Sequence, residues 1–149
     1  MTTDAIDLCL RIGLAHASLA LKLDAELGQF HGISLGDFVL LRLLARTQDG
    51  RMAVAGLRRP MGMQLSAVTR ELVRLEKMGW VQRETTADDG SRFVLIRPVA
   101  RRLLNEALVT AEAVCAGAVQ GLSIEARSHA EAALSHICGT TALAVEAAT

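Results

Sequence analysis

The sequence predicts a mainly α-helical domain interrupted by one small β-hairpin, and three observations predict it. Apolar residues recur at steps of three and four through most of the 149 residues, the pattern of helices with one buried face. That period is lost over Trp80 to Ile96, where β-branched and aromatic residues flank the turn residues Asp88, Asp89, Gly90 and Ser91. Charge is segregated as well: residues 51 to 102 hold eleven Lys and Arg against five Asp and Glu, a net of +6, while the rest of the chain holds five against eleven, a net of −6.

Taken in order, Asp4 to about Phe30 reads as one long helix with Ile6, Leu10, Leu14, Ala17, Leu21 and Leu27 among its apolar positions, ending near Gly28 and Gly32. Ser34, with Asp37 three residues on, forms a capping box for a second helix through the run FVLLRLLA, which ends around Thr47 and the turn Gln48-Asp49-Gly50. That helix is almost wholly apolar and so is expected to be central. Ala53 to Arg59 can form a short third helix, stopped by Pro60 and Gly62, and Gln64 to Met78 a fourth, stopped by Gly79. After the hairpin, a fifth helix runs from Pro98 to roughly Val119; Gly121 breaks it, and Ser123 caps a last helix reaching towards Ala147.

The fourth helix carries the chemistry. Leu65, Val68, Leu72 and Leu75 form a stripe expected to face the core. At 100° per residue, Ser66, Arg70, Arg74 and Lys77 fall within about 80° of one another on the opposite side, with Thr69 nearby and Gln64 and Ala67 at the start of the helix. A free face of arginines and hydroxyls suits the major groove of DNA, where Arg binds guanine O6 and N7 and Ser or Thr adapts to several base edges. In the hairpin, Arg83 and Arg92 flank a polar tip that can lie beside a duplex, against phosphates or a narrow minor groove, with Asp88 or Asp89 placed to hold Arg92. A solvated helix face or a plain turn would explain either part alone. Their adjacency in a +6 segment points instead to a winged helix-turn-helix that binds double-stranded DNA.

The run Gln64-Leu65-Ser66-Ala67-Val68-Thr69-Arg70-Glu71-Leu72-Val73-Arg74-Leu75-Glu76-Lys77-Met78-Gly79-Trp80-Val81-Gln82-Arg83 resembles the recognition helix and first wing strand of the MarR family of bacterial transcriptional regulators. The resemblance covers residues 34 to 104 and extends to the flanking helices. It implies a single domain over residues 1–149, with a DNA-binding lobe at 34–97 and dimerisation helices at 1–30 and 98–149. It also implies a homodimer on a pseudo-palindromic operator, acting as a repressor released by a small molecule or an oxidant. Two positions depart from the family's pattern. Arg92 follows Asp88, Asp89, Gly90 and Ser91, so the wing's Asp-x-Arg motif is displaced by a residue, and Pro98 stands where a Leu-Thr pair often begins the fifth helix.

Composition agrees with a dimer. At 51% apolar and a mean hydropathy of +0.32, the chain is rich for a lone soluble domain, which predicts that the terminal helices meet another chain. An amino terminus without a basic signal region, and apolar runs broken by charge, predict a cytoplasmic protein with no membrane partner. The chain shows no Gly-rich phosphate loop, no Cys-x-x-Cys and only scattered histidines, so neither an enzyme nor a cofactor or metal site is expected. His129 and His136 share a helical face but lie two turns apart. A winged helix kept only as a protein-docking module is the rival reading, and it would present an apolar or acidic helix face instead of this basic one.

What releases the protein is less defined by its residues. Cys9 sits in a Leu-Cys-Leu context similar to the reactive cysteine of the family's peroxide-sensing branch, but the tyrosines that accompany it there are missing, since the chain has no Tyr. A buried, inert thiol is the simpler expectation, and Cys115 and Cys138 are read as reduced thiols too. The resemblance also implies a small aromatic or carboxylate effector, with Arg11, His16 and Arg46 as candidate anchors between the dimer helices and the lobe.

Overall fold

The computed structural model describes residues 4–139. Its elements are helix α1 (Ala5–His31), α2 (Leu35–Ala45), strand β1 (Arg51–Ala53), a 3-10 turn (Val54–Leu57), α3 (Arg58–Met61), α4 (Leu65–Lys77), β2 (Val81–Thr85), β3 (Arg92–Ile96), α5 (Pro98–Ala118) and α6 (Ile124–Cys138). The fold is thus mainly helical with a winged helix-turn-helix at its centre.

The caps follow from local chemistry. Asp4 accepts from the amide of Ile6 to open α1, and Gly32, at φ +67°, closes it. Gly28, which the sequence also offered as a stop, lies inside the helix. The capping box on α2 forms in both directions: Ser34 Oγ accepts from Asp37 N at 3.0 Å, and Asp37 Oδ2 accepts from Ser34 N at 3.2 Å. An Asp24 oxygen reaches across from α1 to accept from Leu35 N at 2.6 Å, so α1 itself caps a further orphan amide of α2. Pro98 occupies the first turn of α5, where its missing N–H is no loss.

Two elements differ from expectation. The segment expected as one helix from Ala53 to Arg59 is a strand end, a 3-10 turn and a four-residue α-helix, and Pro60 lies within that helix. A proline is tolerated there because first-turn amides have no intrahelical acceptor; Gly62, at φ +61°, is the true stop. Arg51–Ala53 joins the hairpin as a third strand, giving the antiparallel order β1-β3-β2 with Ala53 opposite Phe93 and Val81 opposite Ile96. The last helix ends at Cys138 under a left-handed Gly139, short of Ala147, which lies outside the described residues.

One core joins the central elements. Leu40, Leu41, Leu43 and Leu44 of α2 meet Leu57, Val68, Leu72, Leu75, Val81 and Val94, with Leu27 of α1 and Ala100, Leu104 and Ala107 of α5 closing the far side. The near-continuous apolar run of α2 is thereby explained, since it is covered from several directions. Leu65 is a correction: at the outer end of α4 it is 41% exposed, and the buried stripe is Val68, Leu72 and Leu75.

The flanking helices are a different case. Ile6, Leu10, Leu14 and Leu21 on α1 and Ile124 and Ile137 on α6 stand in solvent, and α6 buries none of its residues. Among the described residues no helix is long and apolar enough to cross a membrane.

Candidate nucleic-acid interface

Helix α4 is aimed by its ends. Gln64 precedes it in an extended conformation without a side-chain cap bond, and its Oε1 instead accepts from Arg58 Nη2 at 3.3 Å, linking the start of α4 to α3. At the other end Trp80 N donates to Leu75 O at 3.0 Å and Gly79 N to Glu76 O at 3.0 Å, with Gly79 at φ +77°. This paired closure turns the chain directly into β2, so helix and wing are joined by a fixed corner.

The outward face carries Ser66, Arg70 and Lys77, all exposed, with Ala67 and Thr69 partly covered beside them. Thr69 Oγ donates to Leu65 O at 2.9 Å, which ties its hydroxyl hydrogen to the helix and leaves oxygen lone pairs outward. Among the described residues the ion pairs are Arg51 with Glu84, Arg74 with Asp37 and Glu71, and Arg83 with Glu76. Arg70, Lys77 and Arg92 belong to none of them.

Arg74 and Arg83 are exposed as well, but both are engaged in ion pairs. Arg74 is tethered at the surface: Nη2 donates to Asp37 Oδ1 on α2, and Nε and Nη2 donate to Glu71 Oε2 at 3.0 and 2.8 Å. These bonds, the one to Asp37 foremost, push the Arg74 pKa up and keep the guanidinium charged. Arg83 is held to Glu76 on α4 by its backbone N–H at 2.7 Å and by Nε and Nη2 at 3.2 and 3.1 Å. The backbone bond first, and the guanidinium second, lower the Glu76 pKa. Spacing could place both arginines on their faces but could not show which carboxylates the fold brings to them; Asp37 lies 37 residues from Arg74.

The wing tip is ordered by Asp89, which accepts from Thr86 Oγ at 2.6 Å and Ser91 N at 2.9 Å, and these bonds lower its pKa to about 2. Neither Asp88 nor Asp89 pairs with Arg92, as the displaced motif foreshadowed, and Arg92 stays exposed at the start of β3. At the root of the wing Arg51 lies 3.6 Å from the Phe93 ring centroid and 3.6 Å from Glu84, bracing the third strand that the sequence did not disclose. Between α4 and the wing runs a cleft of about 380 Å³ lined by Thr69, Glu76, Arg83, Thr85, Arg92 and Phe93, among others. It separates the helix face from the wing by a groove open to solvent.

The other candidates are dispersed. Arg11 and His16 are exposed on α1, five residues and so about 140° apart around the axis, and Arg46 caps α2. None of them lines this cleft or the smaller ones beside α3. Cys9, expected to be buried, is exposed in the single chain, as are Cys115 and Cys138, and all three are free thiols. Among the described residues no three His, Cys, Asp or Glu side chains are grouped to hold a metal.

A short helix, a tight turn, a longer helix with a basic outer face and a β-hairpin beside it define a winged helix-turn-helix. The sequence model of the MarR family matches residues 33–90, which contain the helix-turn-helix and the wing tip. Solved structures share the whole architecture. A MarR family transcriptional regulator from Streptomyces coelicolor in complex with DNA has a TM-score of 0.80 at 21% identity, over 92% of this chain and 88% of that one. CouR from Rhodococcus jostii RHA1, bound to p-coumaroyl-CoA, has a TM-score of 0.78 at 19% identity, over 93% and 94%. A mutant MarR from E. coli complexed with operator DNA has a TM-score of 0.77 at 18% identity, over 91% and 99%. No curated protein sequence matches significantly. The chain is similar to MarR family transcriptional regulators, in sequence over the winged segment and in fold throughout.

Proposed function

We propose that this protein is a sequence-specific DNA-binding transcriptional regulator that acts as a homodimer in the cytoplasm. The observation that carries the reading is the exposed basic face of α4, Ser66, Arg70 and Lys77, on the helix next to the wing, whose exposed Arg92 joins none of the ion pairs among the described residues. Arg70 reads a base edge with Ser66, Gln64 and Ala67 near it, Lys77 and Arg92 bind phosphate or the minor groove, and Thr69 offers an acceptor. Arg83 adds a phosphate contact from its pair with Glu76.

The homodimer brings two α4 helices to successive major grooves, half-sites about 34 Å apart. It is supported by the apolar residues left in solvent on α1 and α6, which a second chain would cover. The regulator acts as a repressor, and a small aromatic or carboxylate effector releases it; CouR, which shares the fold, is seen with an aromatic acyl-CoA. Selection of bound duplexes from a random library at near-physiological salt tests the reading. An enriched inverted repeat with that spacing is the expected result. Absence of enrichment would leave only salt-sensitive charge attraction and put the protein-docking role first.

A further inference from the structure

We propose that Asp37 and Arg74 form a strut that sets the seat of α4, making Asp37, a buried residue of α2, a positioning residue for base reading; the proposal rests on the DNA-binding function above. Asp37 is the one buried charged side chain among the described residues, 6% exposed. One of its oxygens completes the capping box of α2 and the other receives Arg74. The bond to Arg74 is the single polar link between α2 and α4 among the described residues, because α4 rests chiefly on β2, the 3-10 turn and α3.

The two kinds of support differ in what they fix. The buried stripe of Val68, Leu72 and Leu75 is non-directional and tolerates a small slide or roll of the helix. A charge-assisted bond from a planar guanidinium fixes direction as well as distance. Glu71 holds the same guanidinium from within α4, so Nη2 is shared between the two carboxylates and its direction is fixed from both helices. Arg74 lies one turn along from Arg70. A roll of α4 that the strut permits or forbids therefore moves Arg70 at the base edge, where a recognition group has a tolerance of about 0.5 Å. The capping box ties the same carboxylate to the first turn of α2, so the central helix supplies the fixed end.

The chemistry of the cap allows a clean test, because Glu and Gln both serve at the third position of a capping box while only Glu carries the charge. Asp37→Glu, Asp37→Gln, Arg74→Gln and the double variant Asp37→Gln with Arg74→Gln are compared in the full chain. Anisotropy is read on the duplex selected by the unaltered protein and on a scrambled duplex, at two salt concentrations. Asp37→Gln and Arg74→Gln should each lose about tenfold on the selected duplex, with no change on the scrambled one and no change in salt slope. The double variant should lose no more than either single one, because both remove the same contact, and Asp37→Glu, which keeps the charge at a longer reach, should lose less than Asp37→Gln.

If Arg74→Gln weakens both duplexes and flattens the salt slope, Arg74 is a phosphate contact and the strut is overturned. Full affinity in Asp37→Gln overturns it as well. Asp37 is 6% exposed and out of reach of a duplex, so a loss on the selected duplex in Asp37→Gln separates the strut from a base contact by Arg74 itself; if Asp37→Gln does not fold, Asp37→Asn, which keeps the side chain's length, takes its place. Failure of the unaltered protein to select any duplex is a different result, and removes the DNA-binding reading together with the strut.

Discussion

The winged lobe and the outer parts of the flanking helices are both rich in apolar residues and end in opposite states. In the lobe, α2 buries Phe38, Leu40, Leu41, Leu43 and Leu44, and each wing strand sends residues into the same core. On the flanks, α1 buries only Leu23 and Leu27 of its 27 residues, while Leu14 is 71% and Leu21 74% exposed. The division falls inside the helices and not between elements. The last third of α1 and the first four turns of α5, with Ala100, Leu104, Ala107 and Ala111, belong to the core of the lobe, and His31 Nε2 meets Thr110 Oγ at 2.7 Å where the two helices join. The lobe closes on itself; the remaining flank has apolar surface that none of the described residues covers.

The largest effect expected from that contrast is on assembly. Leu14→Asp places a charge in the proposed interface and should shift sedimentation velocity from a two-chain to a one-chain species, while the far-UV spectrum keeps its helical form; an unchanged coefficient would remove α1 from the interface. Leu72→Ala is the converse change, deep in the lobe. It should lower stability by about 2–5 kcal/mol in denaturant unfolding through the lost burial and the cavity left behind. A cost below 1 kcal/mol would mean that the lobe is not the closed core described.

Smaller effects sharpen the lobe's own surface. Arg70→Ala should lose roughly 1–3 kcal/mol on the selected duplex and relax preference at one position per half-site, whereas Arg92→Ala should weaken all duplexes and reduce the salt slope by about 1. Similar profiles for the two would erase the distinction between base reading and phosphate binding. The smallest effect concerns the wing tip. The Asp89 pKa is lowered to about 2 from the ordinary 3.8, so the turn bonds from Thr86 and Ser91 contribute fully above about pH 4. That contribution is lost as pH falls through 2. Amide shifts of Ser91 followed across this range should move with a midpoint near 2; a midpoint near 4 would mean the turn is not held by the carboxylate.

The same contrast explains what the sequence disclosed. Capping boxes, glycine stops and the period of apolar residues are local, and so α1, α2, α4, the hairpin and the start of α5 at Pro98 were legible from neighbours along the chain. Strand β1 was not, because three residues carry no period and are recruited by β3 some forty positions later. Arg74 and Arg83 were placed on the correct helix and hairpin, but their pairing with Asp37 and Glu76 is a tertiary fact. The missing tyrosines favour an inert Cys9 but say nothing of its burial, which depends on tertiary packing, and the described residues leave that stretch of α1 in solvent.

The central claim, a closed reading lobe on a flank that needs a second chain, is tested most directly by the stoichiometry of the DNA complex. Sedimentation equilibrium of the protein with a duplex bearing one selected inverted repeat should show two chains per duplex at every protein concentration, with no one-chain complex on the way. A one-chain complex that binds a half-site as tightly as the whole would contradict it.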